Sequence, residues 1–239
     1  MPIILEVKNY VKQFHMHIIN NKIINALDNI SLCMNEGEII GLTGRSGSGK
    51  STLMKSVYRT YLATAGEILY NSLKYGPIDL LKATDHQIIE LRKKEITYCS
   101  QFLSVIPRVS AVDVVGNGLL VKGYSQNEAR ELSKDFLSKL DVSKELWDAY
   151  PSTFSGGEQQ RINVAQAIIT QPRLLLIDEP TASLDQKTKD VVIDMILDLK
   201  SKGASVLCIS HDTYTLNRMC DRLIELKEGR LVAPALQAE

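Results

Sequence analysis

The sequence predicts an α/β fold, a mainly parallel sheet flanked by helices, with a helical lobe inserted partway along the chain. Three observations predict it. Apolar, strand-like runs alternate with stretches of helical spacing, as parallel crossovers require. The run Glu38–Thr43 ends in a glycine-rich turn that opens a helix. From about residue 101 to residue 160 the alternation stops and helical spacing takes over.

The elements follow in order. Leu5–Val11, Ile30–Met34 and Glu38–Thr43 read as strands, and Lys50–Tyr58 as a helix. Glu67–Tyr70 and Ile96–Ser100 read as further strands. Ala111–Leu140 is mainly helical, with Phe136, Leu137 and Leu140 at helical spacing, and Ser155–Ile169 is another helix. Leu174–Asp178 and Ser205–Ile209 are short apolar runs of the fully buried kind. Between them, Thr188–Lys202 carries Val192, Met195, Ile196 and Leu199 on one face, and Gly203 closes it. Pro234–Glu239 reads as a loose tail.

A chain of 239 residues fits one domain with an inserted lobe. The core draws on about residues 1–100 and 162–239, and the lobe on about 101–161. Hydrophobic residues are 44% and charged residues 23%, as in an ordinary globular protein. Lys+Arg and Asp+Glu balance at 28 each, so no basic field points to nucleic acid. The run Arg92-Lys93-Lys94 reads as a solvated helix face. The four cysteines have no metal spacing; Cys99 and Cys208 sit in strand-like runs and read as buried free thiols, in keeping with a cytoplasmic location. The N-terminus lacks the pattern of a signal peptide, and no apolar run approaches the ~20 residues of a membrane span.

Gly44-Arg45-Ser46-Gly47-Ser48-Gly49-Lys50-Ser51 is G-x-x-x-x-G-K-S, a P-loop placed between a strand and a helix. Its glycines let the backbone curl so that successive N–H groups face inward toward phosphate oxygens. The helix start adds roughly +0.5 charge beneath them. Lys50 is placed to reach β- and γ-phosphates and Ser51 to ligate Mg²⁺, with Thr52 beside them. Leu174-Leu175-Leu176-Ile177-Asp178-Glu179 buries a strand and sets two acids at its C-terminal edge, where open α/β sheets bind ligands. Asp178 suits Mg²⁺; Glu179 suits orienting or deprotonating an attacking water. These two motifs indicate a P-loop NTPase with a RecA-like core sheet.

Phe154-Ser155-Gly156-Gly157-Glu158-Gln159-Gln160-Arg161 resembles the signature of ABC-type ATPases. Its serine and glycines at a helix start form a second anion site. The resemblance runs through nearly the whole chain, in the family's order. It implies antiparallel strands at the N-terminus and a helical signature subdomain. It implies ATP and Mg²⁺ as ligands, and a sandwich dimer in which Ser155, Gly156, Gly157 and Glu158 cap the neighbour's nucleotide. It places Gln101 at the Q-loop beside the metal and γ-phosphate, Asp185 in the D-loop at the dimer interface, His211 as the switch histidine, and Phe14 against adenine. The pair is a homodimer or a heterodimer with a related subunit.

Two longer stretches are similar to the PhnL-type ATP-binding proteins of the phosphonate carbon–phosphorus lyase system. They are Ser100–Arg108 and Leu146-Trp147 followed by Tyr150–Arg161. That resemblance implies soluble lyase-complex subunits as partners, in organic phosphonate catabolism. The alternative is the nucleotide-binding subunit of a membrane transporter of the lipoprotein-release or export type. Against the usual transporter pattern after the Q-loop, Ser110-Ala111 replaces Thr-Val and Asp113-Val114 replaces Glu-Asn. A nucleic-acid or ribosome-binding module fits poorly with the neutral charge.

Overall fold

The computed structural model describes residues 2–16, 22–104 and 106–232. The tail Pro234–Glu239 lies outside them. The chain runs through strands β1 (Ile3–Met16), β2 (Lys22–Asn35) and β3 (Ile39–Thr43) into helix α1 (Lys50–Val57). It continues with β4 (Ala65–Ser72), β5 (Gly76–Asp79), α2 (Asp85–Lys94) and β6 (Ile96–Cys99). Helices α3 (Ala111–Val121), α4 (Gln126–Lys139) and α5 (Gly156–Ile169) follow, then β7 (Leu174–Asp178), α6 (Gln186–Ser201), β8 (Ser205–Ile209), α7 (Thr213–Met219), β9 (Arg222–Lys227) and β10 (Arg230–Val232).

Two sheets result. A four-stranded antiparallel sheet has the order β2-β1-β4-β5, and a six-stranded sheet the order β10-β9-β3-β8-β7-β6. In the second, β9, β3, β8, β7 and β6 run parallel, and β10 pairs antiparallel at the edge. The α/β fold class with N-terminal antiparallel strands is thus the observed one.

The parallel strands divide the interior because successive side chains point to opposite faces. Leu175, Ile177, Val206 and Cys208 join a core with α3, α5 and α6. Leu174, Leu176, Leu207 and Ile209 join a second core with the antiparallel sheet and α1. Every residue of β7 and β8 is buried, which is why Leu174–Ile177 and Val206–Ile209 read as unbroken apolar runs.

Helix starts are written locally. Thr84 and Gln87, Ser125 and Glu128, and Ser155 and Glu158 each form a capping box, satisfying N–H groups that a helix start leaves open. The mainly helical stretch Ala111–Leu140 divides into two helices: Gly123 adopts φ +95° after α3, and Ser125 caps α4. Elements α2, β5, α7, β9 and β10 escape the sequence pattern. Arg92 also departs from the solvated face expected of it. Its guanidinium donates to the Tyr58 carbonyl (Nη2, 2.6 Å) and lies 4.3 Å from the Tyr58 ring centre, while Lys93 and Lys94 are exposed. The end of α1 and the flat cation of α2 meet only in three dimensions.

A buried carboxylate welds the two sheets. Glu95 accepts from Tyr70 Oη (3.1 Å), Ser72 Oγ (2.8 Å) and the Leu73 N–H (3.0 Å), and the Arg173 guanidinium lies 3.8 Å away. Its backbone carbonyl accepts the N–H groups of Arg173 and Leu174 at the start of β7 (2.9 Å each). Among the described residues, no helix is long and apolar enough to cross a membrane. Cys99 and Cys208 are buried free thiols, Cys33 is exposed and Cys220 half-buried.

Candidate nucleotide site

The loop between β3 and α1 is shaped by what its glycines avoid. Gly44 has φ +132°, and a Cβ there would stand 2.1 Å from the Leu226 carbonyl oxygen. Gly49 has φ +107°, with a Cβ 2.7 Å from the Ala26 oxygen, and Gly47 has φ +78°. Gly49 is also the N-cap of α1 and supplies no side-chain cap, so the first N–H groups of that helix stay available to an anion. Lys50 folds back over the loop and donates to the carbonyls of Gly44 (2.7 Å) and Arg45 (3.1 Å). Burial lowers its pKa, and the charges of Glu179 and Asp178 work against that shift.

Ser51 Oγ donates to Asp178 Oδ2 at 2.9 Å, joining the start of α1 to the end of β7. Burial raises the pKa of Asp178; the Ser51 hydrogen bond and nearby Lys55, Lys50 and His211 oppose the rise. Glu179 follows with φ +54°, an uncommon conformation for a side chain with a Cβ. One carboxylate oxygen accepts the His211 N–H (3.3 Å). The other, Oε1, is buried without a hydrogen bond among the described residues and lies 3.7 Å from His211 Nε2. Burial raises the Glu179 pKa as well. The His211 ring is exposed.

These groups share one cleft of about 350 Å³ at the C-terminal edges of β3, β7 and β8. Ser46, Gly47, Ser48, Gly49, Lys50, Ser51 and Thr52 line it, with Gln101, Asp178, Glu179 and His211 opposite. Phe14, Ser155–Glu158 and Asp185 lie outside it. Phe14 pairs with Ile24, which is on the cleft wall. Its own ring meets Tyr61 edge-on at 5.1 Å, and the Lys12 ammonium sits 4.7 Å from its centre.

The second anion-site candidate is the start of α5. Ser155 N–H donates to Glu158 Oε2 (2.8 Å), and the two side chains are 2.7 Å apart. Hydrogen bonding to Ser155 holds the Glu158 carboxyl below its usual range. Ser155 and Gly156 are exposed, and a Cβ on Gly156 would meet nothing. Asp185 caps α6, accepting the Thr188 N–H and hydroxyl at 2.9 Å each, which lowers its pKa.

The family profile described as "ABC transporter" matches residues 27–182. The chain belongs to the ABC family of ATPases. This ABC ATPase is 32% identical over 210 residues to the lipoprotein-releasing system ATP-binding protein LolD of Hyphomonas neptunium, covering 87% of this chain and 89% of that one. It is 31% identical over 232 residues to the oligopeptide transport ATP-binding protein OppF of Bacillus subtilis, covering 94% of this chain and 75% of that one. Its structure is similar to the dimeric ATP-binding cassette MJ0796 bound to ADP and Pi, with a TM-score of 0.88 and 28% identity over 98% of this chain and all of that one.

Sequence reasoning about the cassette missed two buried amides, Gln160 and Asn163 on α5. Gln160 Nε2 donates to the carbonyls of Glu179 (2.9 Å) and Pro180 (3.2 Å), and Asn163 Nδ2 to that of Ser100 (2.6 Å). The available signal was their spacing: two amides three apart, among Ile162, Val164 and Ala165.

Proposed function

We propose that this ATPase works as a sandwich dimer in which each cleft is completed by the signature of the neighbouring protomer. One observation carries the reading. The cleft gathers the P-loop and both acids, while the chain's second phosphate-suited helix start is exposed and lines no part of that cleft.

In this reading the P-loop N–H groups and Lys50 hold the β- and γ-phosphates. Displacing the Lys50 ammonium from two loop carbonyls costs little, because phosphate oxygens replace them. Glu179 orients the attacking water. Its buried Oε1 is an acceptor with no hydrogen-bond donor among the described residues. Attack forms a bond from water oxygen to the γ-phosphorus, the bridging bond to ADP breaks, and phosphate leaves. His211, with Nε2 3.7 Å from Glu179 Oε1, is in this reading the group that meets the γ-phosphate. Phe14, beside Ile24, is the candidate for adenine.

The donor set also fits Mg²⁺. Ser51 Oγ, Asp178 and the Gln101 amide offer oxygen ligands, the hard type this ion takes. Among the described residues no group of three or more His, Cys, Asp or Glu could hold a metal, which suits an ion bound through few protein groups and substrate phosphates. When bound, the ion neutralises phosphate charge.

For what the engine drives, the named relatives favour a membrane transporter. Both are ATP-binding proteins of release or transport systems. The departures at residues 110 and 113 do not argue against this, since they have a local cause. Ser110 caps α3, and Asp113 in its first turn pairs with Arg130, which also pairs with Asp148. A second reading rests on the stretches at 100–108 and 150–161, which resemble those of carbon–phosphorus lyase ATPases. Val105, within the first stretch, is outside the described residues.

The test uses a Glu179→Gln chain with Mg-ATP. Light scattering is expected to show twice the protomer mass; a monomer at saturating ATP overturns the sandwich reading. Mass spectrometry of what co-purifies then separates the partners. Multi-span membrane proteins support the transporter, and soluble phosphonate-lyase subunits support the second reading.

A further inference from the structure

The helix that begins at the signature also grips the back of the catalytic cleft. Gln160 and Asn163, about one and two turns into α5, are 5% and 6% exposed, so neither amide is there to meet water. Being three apart, they project from one helix face. Gln160 reaches the two consecutive carbonyls of Glu179 and Pro180. Asn163 reaches the Ser100 carbonyl, one residue before Gln101.

The Glu179 peptide is therefore pinned on both sides. Its N–H donates to the Ile209 carbonyl (2.9 Å), and its own carbonyl accepts from Gln160 and, more loosely, from the Ala182 N–H (3.3 Å). Between these two anchors the residue takes φ +54°. A non-glycine residue persists in that conformation only where its surroundings over-determine it. Gln160 is the side chain that does so from outside the sheet.

We propose that Gln160, seconded by Asn163, is a positioning residue for hydrolysis. It ties the signature end of α5 to Glu179 and the Gln101 approach of the same protomer. The inference rests on the sandwich reading for its consequence. Nucleotide captured on one protomer's signature then acts, through α5, on that protomer's own Glu179, which serves the opposite cleft. A rigid helix with an amide clamp at two points is a physical link of the kind such coupling needs.

The experiment is a double-mutant cycle on ATP hydrolysis with the full chain, crossing Gln160→Met with Glu179→Gln. Methionine keeps the side-chain volume and removes both donors. Gln160→Met alone is expected to lower kcat about 10- to 100-fold, with KM held within about twofold. In the Glu179→Gln background the same change is expected to cost almost nothing further, since Gln160 acts through that carboxylate. Unchanged kcat, or losses that multiply, would overturn the proposal. Should Gln160→Met fail to fold by thermal melt, Gln160→Glu decides. A carboxylate facing two carbonyls cannot donate, but its protonated form can. Its kcat relative to the parental chain is expected to recover between about pH 8 and about pH 6, because burial raises such a carboxyl. A flat ratio overturns the idea. These readings are ratios of kcat and hold whatever light scattering finds, so failure of the clamp and failure of the dimer are separate results.

Discussion

The P-loop and the signature both set glycines and a serine at a helix start, yet they are built in opposite ways. The P-loop glycines are forced: a side chain at Gly44 would collide with the backbone of β9, and one at Gly49 with the Ala26 carbonyl. Its helix start is left uncapped. The signature glycines are free of intramolecular demands at Gly156, and its helix start is fully capped by its own Ser155 and Glu158. The first is shaped by the fold around it. The second is complete as a helix and open as a surface. One chain thus contains a site whose geometry is explained by its own packing, and another whose glycine at 156 has no explanation until something approaches from outside.

The largest effect that would sharpen this contrast is chemical. Glu179→Gln is expected to lower kcat about 10²- to 10⁴-fold in a phosphate-release assay. The same substitution is expected to raise the melting temperature at neutral pH. Burial raises the Glu179 pKa, so the folded chain binds that proton more readily than the unfolded one. Stability then rises as pH falls through the raised value, and at neutral pH the buried charge works against the fold. Removing the charge removes that penalty. The parental kcat should fall with acid at a pH above the ordinary glutamate range, as Glu179 takes up its proton.

Next come paired glycine substitutions. Gly44→Ala is expected to destabilise the fold by about 1–3 kcal/mol or more, through positive φ and the clash with Leu226, and to abolish ATP binding. Gly156→Ala is expected to leave stability the same or raise it by up to about 1 kcal/mol, because alanine favours a helix and meets nothing there. It should nevertheless lower turnover while ATP binding to the lone chain persists. Denaturant melts and nucleotide titration separate the two. Equal stability losses at both positions would break the comparison.

The smallest effect concerns the caps. Ser155→Ala removes an N-cap and half of a capping box, a loss of about 1 kcal/mol. Asp185→Asn retains capping ability and should cost only a few tenths of that.

Much of the architecture was legible because it is local. Strands β7 and β8 announce themselves because both faces are covered, leaving Asp178 at the end of one and Ser205 at the start of the other as their polar residues. Helix α5 announces itself through Ser155 and Glu158. By contrast, β9 lies near the sheet edge with Arg222, Glu225 and Lys227 exposed, and its sequence lacks the apolar run of its neighbours. Helix α2 carries only Ile88 and Leu91 as buried anchors, so its charges dominate the reading. Arg92 shows the cost: its partner, Tyr58, is 34 residues away. The P-loop and the paired acids could be read as sites because motif and chemistry coincide within a few residues. Gln160 and Asn163 offered only their spacing, which marks a helix face and no role. Their partners are backbone carbonyls, which no sequence marks, on segments 19 and 63 residues distant. The second role of Asp185 was open to reading, since an aspartate three residues before a threonine at a helix start is a cap.

Glu95 bears on the same point from the far end of the sheet. Its backbone carbonyl receives both N–H groups that begin β7, while its side chain is locked to the antiparallel sheet. Strand β7 is five residues long, so the acids at its other end lie about 15 Å from that anchor. A slip of one residue there would turn Asp178 away from Ser51, since alternate residues face opposite sides. Glu95 is in this sense the zero mark from which the location of the reaction is counted, and the ruler is a strand whose first four side chains are all apolar.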